Sequence, residues 1–298
     1  MPHNVSHHPS DASLPGPAAY MAMGLPLCCR PEAFSFLAQQ ISVIDSPDAL
    51  LNSAIAIAMH ETENLDPQAI DKKLQQYADT VRQRVRGQQP QALLAHLHQF
   101  LFEEENFAGN SEDYYNSANS YLPQVLENKL GLPITLSLVY KAVAERLGFR
   151  TWGVGLPGHF LVGLQCEESE LLVDCFGGGR LLNSDEAHEC MREIFGPEVE
   201  WSESHLSPVT HRHWLTRMLQ NLLNIFGSAN RYADVAAMLE MEILLWPEQQ
   251  RLQRDLALVL ARLGRQEAAS HWLDAYLKKN PDDPQSGDLK QLLEVLTA

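Results

Sequence analysis

One stretch limits the fold of this chain more than any other: Pro133 to Leu147, followed by three short β-like runs. Pro133 suits a first helical turn, where its missing N–H is no loss. From there Ile134, Leu136, Leu138, Val139, Ala142, Val143 and Leu147 spread almost all round the cylinder, while Lys141, Glu145 and Arg146 form a narrow polar stripe. A helix apolar on most sides is a central one, and Gly148 directly after it is a stop signal. Residues 151–155, 159–165 and 170–176 then read as strands, broken by Pro157-Gly158 and by the polar turn Cys166-Glu167-Glu168-Ser169.

A hairpin centred on Glu167 and Glu168 sets Asp174 opposite Leu161. His159 is two positions from Leu161 and so points to the same face. A diagonal cross-strand pair of this kind is within side-chain reach. The spacing therefore predicts an imidazole and a carboxylate meeting at one end of the hairpin, beside the start of a buried helix. A Cys there would complete a nucleophile, base and orienter, with the helix dipole lowering the thiol pKa. The helix opens instead with Leu132, Pro133, Ile134 and Thr135, and the nearest hydroxyls are Thr135 and Ser137. Cys175 adjoins Asp174, but successive strand residues point to opposite faces, which makes it a poor replacement.

The blocks NSYL (Asn119–Leu122), VLE (Val125–Glu127), GLPITLSLVY (Gly131–Tyr140), PGHF (Pro157–Phe160), VDCF (Val173–Phe176) and GGRLL (Gly178–Leu182) occur in this order. In them the chain resembles the transglutaminase-like domain of the SirB-type bacterial proteins (first member), which resemble part of a eukaryotic F-box protein and carry C-terminal tetratricopeptide-like repeats. The resemblance implies an α+β, mostly helical fold: a transglutaminase-like (papain-like) core with a small antiparallel sheet, then an all-α repeat segment. It also implies a catalytic Cys at the start of the central helix, with His159 and Asp174 in the other two roles. The Cys position falls at or near Pro133, so the expected thiolate is missing.

Periodic apolar positions between Pro31 and Phe107 predict helices that pack around the central one. His60-Glu61 lacks the second His that a zinc motif of this type requires. Asn119 is a candidate polar support, donating to an oxyanion or bound carbonyl; the other reading is that it ties a turn. Tyr114 and Tyr115 read as lid aromatics. Gly177, Gly178 and Gly179 lack the Lys-Ser/Thr of a phosphate loop and read as a flexible turn, with Arg180 able to orient Asp174. His205, His211 and His213 lack a Cys or carboxylate at metal-ligand spacing, so no metal and no cofactor is expected.

Charge narrows the partners: 38 acidic against 22 basic residues leave a net −16, a field that repels nucleic acid and anionic membrane. The five cysteines form no regular framework, so free thiols and a cytoplasmic location are expected. No run approaches a membrane span, and the basic residues of a secretory signal are missing near the start. Residues 1–19, without periodicity, read as a mobile tail.

Near the C-terminus Pro247 and Pro281 are 34 residues apart, the tetratricopeptide period. Leu256, Ala257, Gly264, Ala269, Leu273 and Leu277 fit the second unit. The first is degenerate, with Leu223 and Val235 where small residues are usual, and Leu289 to Leu296 reads as a cap. The expected division is a tail over 1–19, a transglutaminase-like domain with its helical N-terminal part over 20–204, and repeats with a capping helix over 205–298. So short an array must dock on the preceding domain. The leading functional expectation is a non-catalytic, protein-binding or scaffolding pseudoenzyme with a protein or peptide partner. The alternative is an amide or acyl hydrolase or transferase using His159 and Asp174 with Thr135, Ser137 or a bound water.

Overall fold

The computed structural model describes residues 26–297 apart from residue 88; the tail expected over residues 1–19 lies outside the described residues. The chain opens with helices α1 (Pro31–Ile41), α2 (Ala49–Ala58), α3 (Pro67–Arg82) and α4 (Pro90–His98), the last continued by a π turn over Gln99–Glu104. Proline at the first position of α1, α3 and α4 starts each where no N–H is needed.

Strand β1 (Ala108–Gly109) pairs in parallel with β2 (Leu130–Gly131), and helix α5 (Leu122–Asn128) lies between them in sequence. The central helix α6 (Pro133–Arg146) follows, and every residue from Pro133 to Ala144 is buried. It packs against β3 (Arg150–Val154) and β4 (Leu161–Cys166). These belong to a five-stranded sheet completed by β5 (Ser169–Asp174), β6 (Arg180–Leu182) and, after helix α7 (Ser184–Phe195), β7 (Pro208–Val209). The order is β6-β5-β4-β3-β7, antiparallel throughout.

Val162 faces Val173 and Cys166 faces Ser169, the register of a hairpin centred on Glu167 and Glu168. The β-like run expected from His159 starts later, at Leu161. His159 N–H bonds back to the Leu156 carbonyl at 3.2 Å across the Pro157-Gly158 turn. That bond curls the chain away from the strand ladder before the sheet begins.

Helices α8 (His211–Ser228), α9 (Tyr232–Leu245), α10 (Gln250–Arg262), α11 (Gln266–Lys279) and α12 (Ser286–Thr297) complete the chain. The 34-residue period is written into the backbone. Arg231 (φ −80°, ψ 64°) and Arg265 (φ −84°, ψ 62°) precede α9 and α11 in nearly the same conformation. Asn230 (φ 56°) takes the left-handed turn position that Gly264 (φ 72°) takes one repeat later, a conformation Asn tolerates better than most residues.

One buried cluster runs from Cys29 to Leu289 and crosses the boundary expected between residues 204 and 205. Helix α9 is buried from Ala236 to Leu245, carboxylates included. Its Glu240 accepts hydrogen bonds from the N–H groups of Leu27 (2.6 Å), Cys28 (3.2 Å) and Cys29 (2.7 Å), fastening the segment before α1 to the repeats. No helix among the described residues is long and apolar enough to cross a membrane.

Candidate functional site

Strand β5 ends on Asp174, and the glycines after it close over the carboxylate. Gly177 N–H donates to Asp174 Oδ1 at 3.0 Å, and Gly179 N–H to the Asp174 carbonyl at 2.9 Å. A Cβ on Gly177 would stand 2.6 Å from Asp174 Oδ2, and Gly178 has φ 74°, so side chains there would clash or strain the turn. These residues, expected as a flexible turn, form a clasp around the acid.

His159 Nε2 stands 3.0 Å from Asp174 Oδ1, with the two side chains 10% and 7% exposed. Burial pushes the Asp174 pKa up, but the His159 bond and charge, the Gly177 N–H and Arg180, 3.8 Å from Oδ2, together hold it below its ordinary value. An ionised carboxylate only accepts. The shared hydrogen therefore sits on Nε2, and Nδ1 is the ring nitrogen not bonded to Asp174.

The turn that presents His159 is gripped from α8. Arg217 Nη2 donates to the carbonyls of Leu156 and His159, both at 2.9 Å, and its guanidinium lies 5.2 Å over the Phe160 ring. Burial lowers its pKa, and among the described residues no carboxylate pairs with it. Trp214, one turn earlier, packs on Phe160 at 4.5 Å between centroids and fills the space a Cβ on Gly153 would need. Sequence reasoning missed both residues, because 58 positions separate Arg217 from His159 and a lone Arg on a helix reads as a solvent-facing charge.

The imidazole meets Phe176 edge-on at 6.2 Å, Phe176 meets Tyr114 at 6.1 Å, and Tyr114 meets Tyr115 at 5.4 Å. An aromatic chain thus leads from His159 to the surface.

The remaining predicted residues make other contacts. Asn119 Nδ2 donates to the carbonyls of Asp113 (2.7 Å) and Tyr114 (3.2 Å), and Oδ1 accepts from Asn110 at 3.0 Å. Its amide hydrogens are spent on the loop, and its own carbonyl receives Leu132 N–H at 3.1 Å just before α6. These are the contacts that the turn-tying reading of Asn119 expects. Thr135 and Ser137 are both 0% exposed; Ser137 lies beside the Cys175 thiol, and among the described residues neither hydroxyl bonds to His159. The expectation that either serves as a nucleophile meets a sealed core, because α6 is apolar on nearly every face. Cys175 is also fully buried, its pKa pushed far up by burial. Cys190 sits on the acid's side, 3.5 Å from Arg180 Nη2, and burial raises its pKa too.

Pro133 opens α6 and is itself buried. Where the resemblance expects a Cys, the chain has neither a thiol nor a backbone N–H to stabilise an oxyanion. Among the described residues the hydrogen bonds to this imidazole and carboxylate come from each other and from Gly177, and no thiol or hydroxyl bonds to the His159 ring. Away from it, His60 bonds Asp234 at 3.1 Å and Glu61 bonds Arg231 at 3.1 Å, tying α2 to α9. His205, His211 and His213 bond to Ser202, Ile44 and Thr210, and no metal-binding group of three or more His, Cys, Asp or Glu occurs among the described residues.

Residues 68–220 match the family described as transglutaminase-like superfamily, and residues 222–294 match one described as tetratricopeptide repeat. Two UPF0162 proteins of Xylella fastidiosa strains are 35% and 34% identical over 244 residues, spanning 80% of this chain and 87% of theirs. F-box only protein 21 of Homo sapiens is 31% identical over 164 residues, covering 51% of this chain and 25% of that protein. No solved structure matches.

Proposed function

This chain belongs to the transglutaminase-like superfamily and to the UPF0162 proteins, and from that premise we propose that it works as a non-catalytic protein-interaction module of the SirB type. The observation that carries the reading is the pairing of His159 with Asp174 at 3.0 Å in a chain whose central helix begins with buried Pro133. The base and its orienter remain, while the position expected to supply the attacking atom has no group able to do so. The tetratricopeptide match over residues 222–294 supports a protein or peptide partner, as does the F-box relative. The net charge of −16 disfavours nucleic acid, and five unpaired cysteines support a cytoplasmic setting.

The His159–Asp174 pair then serves architecture, joining the Pro157-Gly158 turn to the end of β5. One observation favours the second reading, an amide or acyl hydrolase or transferase. His159 bonds Asp174 through Nε2, which leaves Nδ1 outside that bond, and the ring is 10% exposed, so a bound water is the nucleophile it could activate.

The test uses the full chain, because the buried cluster spans both parts. Purified wild type and His159→Ala are assayed for ammonia release and amine incorporation on a glutamine-containing protein, and each is used to capture partners from lysate. The expected result is no turnover above background by either, with specific partners retained by wild type. Turnover that His159→Ala abolishes without changing the melting temperature would replace this reading with the enzymatic one.

A further inference from the structure

Exposed apolar side chains gather around the turn that carries His159. Tyr114 and Tyr115 are 37% and 75% exposed and connect to the imidazole through Phe176. At the neighbouring Gly158, Ile194 and Phe195 are 48% and 55% exposed, and a Cβ on that glycine would meet them at 2.9 and 3.0 Å. Phe195 is the last residue of α7, so its ring is displayed at a helix end. The other large exposed hydrophobics, such as Val43 and Val295, occur singly along the chain. Scattered single residues need no explanation, but two pairs near one turn mark a contact surface.

The exposed charges adjoining these pairs in the chain are mostly acidic. Exposed Glu112 and Asp113 precede Tyr114, Glu193 precedes Ile194, and Glu198 and Glu200 follow Phe195. Two half-exposed cations lie nearby and each has a carboxylate partner, Arg192 with Glu189 at 3.1 Å and Arg180 at 3.8 Å from Asp174, while Arg217 is turned to backbone carbonyls. An apolar centre with an acidic rim calls for an occupant of opposite pattern.

We infer that this surface docks an extended segment of another protein, apolar or aromatic at its centre and flanked by Lys or Arg, across the Pro157-Gly158-His159 turn. The inference rests on the interaction-module reading and specifies its surface and the chemistry of its partner. The aromatic pairs supply the contact area, and the acidic rim supplies attraction and selects against acidic segments.

A fluorescently labelled peptide with a Leu-Phe-Leu centre and flanking lysines tests this by polarisation at about 0.15 M salt. It is compared with a version carrying Glu for Lys and another carrying Ser for the apolar residues. The expected result is binding of the first peptide alone. Tyr115→Ser and Phe195→Ser should each weaken it at least about tenfold, Val295→Ser should leave it unchanged, and all three should keep the wild-type melting temperature. No binding by the basic apolar peptide, equal binding by the acidic one, or undiminished binding in the patch variants overturns the inference. Partners captured equally by wild type and patch variants would reject this surface and leave the module reading standing; capture of nothing by wild type would reject that reading itself.

Discussion

Arg217 Nη2 lies 2.9 Å from the carbonyl oxygen of His159, and the same nitrogen bonds the Leu156 carbonyl three residues earlier. One guanidinium from α8 therefore sets both ends of the turn that presents the imidazole. Both bonds leave one nitrogen, while the flat face of the guanidinium covers Phe160, a stacking that an ammonium cannot reproduce.

Arg217→Lys should destabilise the chain by about 1–3 kcal/mol through the loss of charge-assisted bonds to buried carbonyls. The His159 ring resonances should shift as well, because the backbone beneath the ring relaxes. Unchanged resonances and an unchanged denaturation midpoint would show that Arg217 does not hold the turn.

Asp174→Asn should lower stability at neutral pH by about 1–2 kcal/mol. The pH profile carries the sign. Because the folded pKa is held below the ordinary 3.8, the carboxylate's contribution is fully present above that value and is lost as pH falls through the lowered one. Urea midpoints of wild type and variant should therefore converge only in strong acid, and a gap constant across the acid range would contradict this.

Glu240 behaves in the opposite sense. Burial raises its pKa despite three backbone donors, so its stability contribution is full below the ordinary 4.5 and falls as pH rises through the raised value. Glu240→Ala should remove that slope and cost about 3 kcal/mol by stranding N–H groups of residues 27–29. It should also hasten proteolysis before α1; equal cleavage of wild type and variant would sink the claim.

Thr135→Val should hold or raise the melting temperature, by up to about 1 kcal/mol of stability, since the buried Oγ1 has no partner among the described residues. A large loss would mean that the hydroxyl is engaged.

Thiol labelling checks for a hidden nucleophile. Burial raises the Cys28 pKa to about 11, which leaves about one thiolate in a thousand at pH 8. The other four cysteines are buried with pKa values raised. Iodoacetamide should label the native chain slowly and label all five after denaturation; one fast native thiol would reopen cysteine chemistry.

The hairpin register was legible because side-chain direction alternates strictly along a strand and a short polar turn leaves few registers; His159 meets Asp174 as expected, but from the turn before β4 and not from the strand itself. The central helix was legible from its nearly continuous apolar surface. Asn119 was not, since an amide that ties a loop and one that supports a reaction look alike until its partners are known. The glycine clasp escaped for a related reason: three glycines announce backbone freedom and do not name the group they close around.

Local pattern therefore determined the helices, the strand pairing, the 34-residue repeat and the absence of a cysteine at the start of α6, because each depends on residues close together in the chain. Tertiary structure decided the rest: that Arg217 and Trp214 brace the His159 turn, that Glu240 fastens residues 27–29, and that Thr135 and Ser137 are sealed. Those outcomes depend on which distant surfaces share one core, and periodicity shows that a face is buried without showing what lies against it.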